Sequence, residues 1–539
     1  MTLQQYVLVS FVPLILATLY TIPWKILDNT VREMEPFYQL SQPGGATAEN
    51  SLCLDYATSI LLTTPFKALR RGHFIVLWSS LISLVVLFVP SLASEAVFVS
   101  VTGTCFPHNK TCHSAWAVYP RLIRAIQALL SLIAVLLLFM IVYGYRRKSG
   151  VYSDPLSIAG LVSLLSNPPV LQTFRQIDST TKKQNLQRLL AGKRFAISKF
   201  SELGQSPCYG IIELESPESP PANTDKRLAR KKGIFKRLNT PDSNWPSDFD
   251  TAAGEDGSTP KLQKSRVLGK VKIKLYYCLA IVFLGGVVVL IAFYALTVAN
   301  SGFEKWMDSG TYGLRFTWTG LGTAIKLFWN HLDQGKFFPL CSLPIFLFFQ
   351  LIFSDLRRNE PYYRLLLGSS QPADSILVPA YMSPFSAIIP SLRRRHFIVS
   401  LVCFASVLAE FLPIFLGNIP YSPSLTWRAY ITCSFLAILI LLFMMACVAV
   451  LILRPRRSVR PLPRRTDTLA SICCYVAADE SGEGGAMGIL DKLSGLSKMG
   501  TRERDNIVVE TGGEYTMGIV KGGELRIDFD ERITRLWSD

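Results

Sequence analysis

Five histidines serve the whole 539-residue chain: His73, His108, His113, His331 and His396. None pairs with another at the spacing that places two metal ligands on one helix face. The chain also lacks a G-x-x-x-x-G-K-[ST] phosphate loop, an H-E-x-x-H helix, a G-x-S-x-G elbow and a C-x-x-C pair. These absences remove the usual signatures of nucleotide, metalloprotease, serine-hydrolase and dithiol chemistry. The expectation is a protein that is not an enzyme and needs no cofactor. Charge is scarce as well, at 18% of residues against 50% hydrophobic.

The apolar residues are gathered into long runs. A helix rises 1.5 Å per residue, so about 20 apolar residues cross about 30 Å of hydrocarbon. Seven runs meet that length: 4–24, 74–93, 124–144, 274–298, 337–354, 397–417 and 430–453. The first has no basic leader and no small-residue cleavage site, and it reads as a retained span. Basic residues mark the cytosolic flanks. Segment 145–273 holds 22 basic against 12 acidic residues, a large share of the net charge of +17. Arg357 and Arg358, and Arg454, Arg456 and Arg457, mark two further cytosolic flanks. The expectation is an N-terminus outside or lumenal and a C-terminus in the cytosol, in the plasma membrane or an endomembrane. Stretch 94–120 falls outside, and there Asn109-Lys110-Thr111 is a candidate glycosylation acceptor, which suggests a glycoprotein. Cys105 and Cys112 flank it; they suit a lumenal disulfide, with a metal site using His108 and His113 as the other reading.

The chain is also duplicated. LRRGHFIV at 69–76 returns as LRRRHFIV at 392–399, and EPFYQL at 35–40 returns as EPYYRL at 360–365. The repeated positions of interest are Glu35, Pro36, Arg70, Arg71 and His73, matched by Glu360, Pro361, Arg393, Arg394 and His396. A proline follows each histidine at the same distance, at Pro90 and Pro413. Alternating apolar positions around glycine turns at 193–214 and 514–529 read as β-hairpins. Two three-span units that both begin outside and finish inside need one extra helix between them, and 274–298 has no twin. The expected fold is therefore an all-α polytopic membrane protein with seven transmembrane helices, arranged as 3+1+3 parallel repeats, with small cytosolic β-hairpin elements. The expected divisions are 1–150, 151–216, a disordered basic linker 217–266, a linking span 267–299, a lumenal aromatic segment 300–336, 337–457 and a tail 458–539.

These motifs, taken in order and twice, resemble a fungal family of multi-span proteins carrying a paired domain of unknown function, number 3433. The resemblance covers most of the chain outside 217–336. It implies an integral membrane protein and assigns no activity, catalytic residue or ligand. The chain departs from a strict repeat where Asp55-Tyr56 is answered by Ala380-Tyr381.

Several side chains carry two readings each. His73 and His396 read as a pH-sensing or lipid-headgroup pair, or as inherited neighbours of arginines that fix topology. Glu410 lies inside a span, and an intramembrane carboxylate reads as part of an ion pathway or as a structural or interfacial group. Lys226, Arg227, Arg230, Lys231, Lys232, Lys236 and Arg237 form a basic stretch suited to anionic lipid or to a solvated linker; nucleic acid is not expected. The amphipathic stretch 321–332 lies either in the membrane interface or against the bundle. Cys473 and Cys474 are either acylated or buried thiols. Two functions remain: a non-catalytic scaffold or sensor with cytosolic partner or lipid contacts, or a transporter or channel with its path between the repeats.

Overall fold

The computed structural model describes residues 11–59, 61–102, 113–177, 183–200, 208–214, 284–292, 314–333, 356–379, 383–419, 427–453, 466–477, 488–519 and 525–530, with a few single positions between them. Asn109, Cys105, Cys112, the basic stretch 226–237 and the run 337–354 lie outside these residues.

Helix α1 (Val12–Leu40) opens with a proline in its first turn, where no intrahelical N–H is lost. It runs well past the predicted boundary at residue 24 and carries EPFYQL as its last turns. Strand β1 (Ala46–Thr47) leads into a 3-10 turn at Ala48–Asn50. Helix α2 (Thr64–Arg71) stops at Gly72, whose φ of 74° gives the left-handed cap that glycine adopts without a Cβ penalty. His73 then caps α3 (Phe74–Val86). Pro90 cannot donate to the carbonyl of Val86, and the helix breaks at Leu87 before α4 (Phe88–Ala96). Strands β2 (Val97–Thr102) and β3 (His113–Val118) pair antiparallel, a hairpin the sequence pattern did not announce. Helix α5 (Pro120–Gly144) returns. Beyond it come α6 (Ile158–Leu164), α7 (Pro168–Arg175), α8 (Lys183–Leu189) and the hairpin β4 (Arg194–Phe200) to β5 (Cys208–Leu214).

The second half begins with α9 (Leu314–Asp333) and α10 (Leu356–Leu367), which carries EPYYRL. A 3-10 turn at Pro372–Asp374 follows, then α11 (Pro384–Arg393), α12 (Phe397–Leu416) and α13 (Trp427–Leu453). Helices α14 (Leu469–Val476), α15 (Ile489–Leu493) and α16 (Thr501–Glu510) precede the hairpin β6 (Tyr515–Ile519) to β7 (Leu525–Phe529).

Among the described residues four helical stretches are long and apolar enough to cross a membrane: Phe74–Ser94, Pro120–Gly144, Phe397–Leu416 and Ile431–Leu451. They coincide with four of the seven predicted spans. Along α5, Val135, Leu138, Ile141 and Val142 point outward, about half exposed or more. Such a continuous apolar face suits hydrocarbon and not water. Two apolar cores pack the bundle. One joins α1, α3, α4 and α5; the other joins α9, α12, α13 and the helical residues 284–292. The aromatic stretch 321–332 therefore belongs to a helix packed along α12, with Gly322 in close approach to the backbone of Pro413.

The two hairpins were expected as separate elements, but they share one core outside the bundle. Leu40, Leu52, Leu161, Phe174, Phe195, Leu365, Tyr475, Val508 and Ile527 are all buried in it. Contacts between the halves are reciprocal. The backbone N–H of Ala470 donates to Leu52, and that of Ala159 donates to Ile376, at 2.9 and 3.0 Å. Leu52 and Ile376 each follow the serine that ends a 3-10 turn. Those serines, Ser51 and Ser375, have nearly the same torsions (φ −136° and −131°, ψ −88° and −85°), and each Oγ donates to a carbonyl four residues back at 2.8 Å. Each turn also follows a residue paired to the first strand of its own hairpin, Ala46 to Phe195 and Ser370 to Tyr515.

One buried cation pins the halves together. Arg504 of α16 donates to the Asp154 carbonyl at 2.9 Å and to Ser153 Oγ at 3.1 Å, both just before α6. Hydrogen bonds from a charged donor contribute about 1.5–3 kcal/mol each. Arg504→Met should lower the unfolding temperature of this core and loosen both hairpins together, as read by backbone hydrogen exchange. Loss of protection confined to β6–β7 would contradict the shared core.

Candidate functional site

Along α1, Thr18, Thr21, Lys25, Asp28, Arg32 and Glu35 follow one another in alternate steps of three and four. That spacing puts them on one helix face, and all but Lys25 are nearly fully buried. A face this polar can be buried only if each charge meets a partner. It does so in three clusters.

The first cluster explains Glu410. Its carboxylate, 2% exposed, takes Lys25 at 2.5 Å on one oxygen and Lys326 on the other. Lys326 also reaches Thr21 Oγ1 at 3.4 Å. Glu410 comes from α12, Lys25 from α1 and Lys326 from α9, so the triad ties the first repeat, the intervening segment and the second repeat. Leu87, its counterpart by repeat position, stands at the break between α3 and α4. The site is therefore not duplicated. In the second cluster Asp28 forms an ion pair with Arg32 at 2.6 Å and accepts a hydrogen bond from Ser79 at 2.9 Å, while Arg32 donates to the Ser59 carbonyl at 3.3 Å.

The third cluster answers why the two motifs recur together. Glu35 of the first motif is 1% exposed. It receives Arg147 through both guanidinium nitrogens, at 2.9 and 3.1 Å, and Gln39 at 2.7 Å. His73 of the second motif lies with Nδ1 4.0 Å from the same carboxylate and 2.8 Å from the Tyr56 hydroxyl. In the other half, Glu360 lies 3.3 Å from His396 Nδ1 and 3.6 Å from Arg364. Each motif histidine thus meets the motif glutamate of its own half, and each caps the helix that follows, with φ −88°, ψ 74° at His73 and φ −85°, ψ 59° at His396. Pro36 and Pro361 lie within α1 and α10, one residue after each glutamate. Arg70, Arg71 and Arg393 are exposed at the ends of α2 and α11, and Arg394 is half-buried. The octapeptides differ at one letter, Gly72 against Arg395. Both positions are left-handed, at φ 74° and 57°, and the Arg395 carbonyl accepts from Arg364 at 3.1 Å.

Burial dominates the His73 ring and pushes its pKa down to about 4; Glu35 opposes this, while Arg71 and Arg147 reinforce it. The ring is then neutral from pH 5 to 8, which weighs against a pH sensor at this position. Asp55, the residue without a matching acid in the second copy, joins Lys183 at 3.2 Å, and Lys183 reaches Asp467 at 2.8 Å. Burial, the largest single influence, would raise the Asp55 carboxyl, but Lys183, Lys67 and Arg71 together hold the pKa below the ordinary value. Cys473 and Cys474 are fully buried, and burial drives the Cys473 thiol well up, so the acylation reading loses its accessible thiolate. Among the described residues no group of three or more His, Cys, Asp or Glu side chains could hold a metal ion.

The family model described as "Protein of unknown function (DUF3433)" matches residues 7–98 and, separately, 337–421. The two matches are consistent with a duplicated domain. Both matches contain the glutamate–histidine pair, whereas Arg147 and Lys326 lie outside them. No curated protein and no solved structure matches the chain.

The Lys25–Glu410–Lys326 triad holds a carboxylate that is almost fully buried. Removing one partner of a buried pair costs about 3–5 kcal/mol because a charge is left without compensation. Glu410→Gln should destabilise the detergent-solubilised protein by that order. The double variant Glu410→Leu with Lys326→Met should recover a large part of the loss in thermal unfolding. Equal destabilisation by both would mean that charge pairing is not what the triad contributes.

The histidine gives a pH window. Its folded pKa lies below the unfolded value of about 6.5, so the unfolded chain takes up a proton that the folded chain refuses. Stability from this source is complete above about 6.5 and lost as pH falls toward about 4. Unfolding temperatures measured from pH 8 to pH 4.5 should be flat in the upper half and fall in the lower. His73→Gln should reduce that fall.

Proposed function

We propose that this chain is a non-catalytic membrane scaffold that holds one cytosolic domain, built from both repeats, rigidly against a bundle of seven spans arranged 3+1+3. The observation that carries this reading is that each charge on the buried face of α1 is committed to an ion pair with another protein side chain. Charges locked in this way serve to position helices. A translocation path needs groups that exchange partners with a passing solute. The shared core supports the same reading, since its two halves exchange backbone hydrogen bonds and leave the hairpins fixed relative to the helices below. Placement of this domain in the cytosol follows from the basic flanks, as does an outside N-terminus.

The transporter reading keeps one observation in its favour: the polar face of α1 extends from Thr18 to Glu35, a length of helix that reaches through much of a bilayer. Purified protein in sealed liposomes separates the two. Proton, sodium, potassium and chloride fluxes should match those of protein-free liposomes, and Glu410→Gln should leave them unchanged. Any flux that requires Glu410 sinks the scaffold proposal.

A further inference from the structure

The first octapeptide borders a cavity of about 270 Å³ between the end of α1, the α2–α3 junction and the end of α5. Its polar wall is Gln39, Gln42 and Arg147, and its apolar wall is Phe74 and Tyr143, whose rings lie 5.7 Å apart. The Arg147 guanidinium lies 3.3 Å from the centre of the Tyr38 ring, which also lines the cavity. Two of its N–H groups are taken by Glu35, which fixes the plane of the guanidinium and leaves donors on its other edges. Gly72 adds no side chain, and the space where its Cβ would stand is open.

The surroundings place this cavity at a lipid–water boundary. Phe74 and Tyr143 are 40% and 50% exposed and continue onto the outward apolar face of α5. Helix α2 turns Phe66 and Leu69 outward, 72% and 57% exposed, beside Arg70 and Arg71. The second repeat does the same at the matching positions, with Ile389 and Leu392 outward on α11 and Phe397 after them. A short helix with apolar residues outward and arginines at its end is built to lie in a headgroup layer. Arg146 and Lys148 are exposed next to Arg147, so the cations around the cavity outnumber Glu35, the carboxylate behind it.

We propose that this cavity binds the phosphorylated headgroup of an anionic phospholipid, with Arg147 and Gln42 contacting the phosphate and Phe74 and Tyr143 contacting the first carbons of the acyl chains. A phosphate matches the planar donor edge of a stacked arginine, and the volume admits a headgroup but not a whole lipid. The cavity lining includes no residue of the basic stretch 226–237, and the site stands independently of the scaffold reading: a scaffold without it is still a scaffold.

The test uses the full purified chain in neutral detergent, titrated calorimetrically with short-chain phosphatidylserine, short-chain phosphatidylcholine and inorganic phosphate. Phosphatidylserine should bind saturably and at least tenfold more tightly than phosphatidylcholine, with inorganic phosphate weaker than either. Gln42→Glu places a like charge beside the phosphate and should weaken phosphatidylserine about tenfold while leaving the unfolding temperature unchanged. Arg147→Gln should weaken it further; where that variant unfolds, Gln42→Glu carries the test alone. Equal affinity for the two lipids, or phosphatidylserine binding indifferent to Gln42→Glu, overturns the proposal. Inorganic phosphate that binds as tightly as phosphatidylserine would reassign the site to a soluble anion.

Discussion

A carboxylate taken out of water must bring a cation or several donors with it, and the arrangement of this chain follows from where its buried carboxylates find them. Glu35 sits at the level where α1 leaves the bundle. To satisfy it the structure draws in Arg147 from the end of α5 and brings His73 close, at the start of α3. The three helices are thereby fixed in relative height at one end. In the second copy Glu360 brings His396, at the start of α12, against α10, while Arg364 reaches Glu360 from one turn along α10 itself. Apolar packing alone tolerates sliding, because one leucine face resembles another. A buried ion pair does not, because a shift of one turn leaves two charges without partners.

The same constraint explains how much of the fold was legible in the sequence. The paired motifs were visible, as were four helices now seen with the length and composition of spans. What joins the motifs was not visible, because Glu35 and His73 come together only when α1 and α3 pack antiparallel. The polar face of α1 could have been found: Thr18, Thr21, Lys25, Asp28, Arg32 and Glu35 carry a helical period across a boundary drawn at residue 24. The boundary hid it, since it left Thr18 and Thr21 inside the span and Lys25, Asp28, Arg32 and Glu35 beyond it. Lys326 was visible only as one cation in an amphipathic stretch. Its meaning depends on Glu410, on another helix, and no local pattern reports such a contact. The fusion of the two hairpins into one core was hidden for a similar reason, since each hairpin pattern is complete by itself and says nothing about what its buried face will meet.

The repeat is kept strictly in some places and abandoned in others, and the division has a physical basis. The two 3-10 turns keep their torsions, their serine hydrogen bonds and their exchange of backbone hydrogen bonds with the opposite half. A reciprocal contact demands this: each half must offer the same donor and acceptor to its twin, so a change on one side unbalances the other. The left-handed residue of the octapeptide shows how far the backbone outranks the side chain. Gly72 adopts that conformation freely, and Arg395 adopts it against the usual preference of a residue with a Cβ, helped by a hydrogen bond from Arg364 to its carbonyl.

The ionic triads, by contrast, belong to the assembly and not to the repeat. Glu410 needs Lys326 from α9, which lies between the two copies and has no twin within either, and the counterpart position holds Leu87. Lys183 bridges Asp55 of one half and Asp467 of the other in a single asymmetric arrangement. Two copies with full twofold equivalence could meet through backbone exchange alone, yet nothing would then distinguish one half from the other or seat the segment between them. Charges placed once, at positions where the copies differ, supply that distinction. They assign each half a single place in the bundle, and they make the intervening helix α9 a structural member of it.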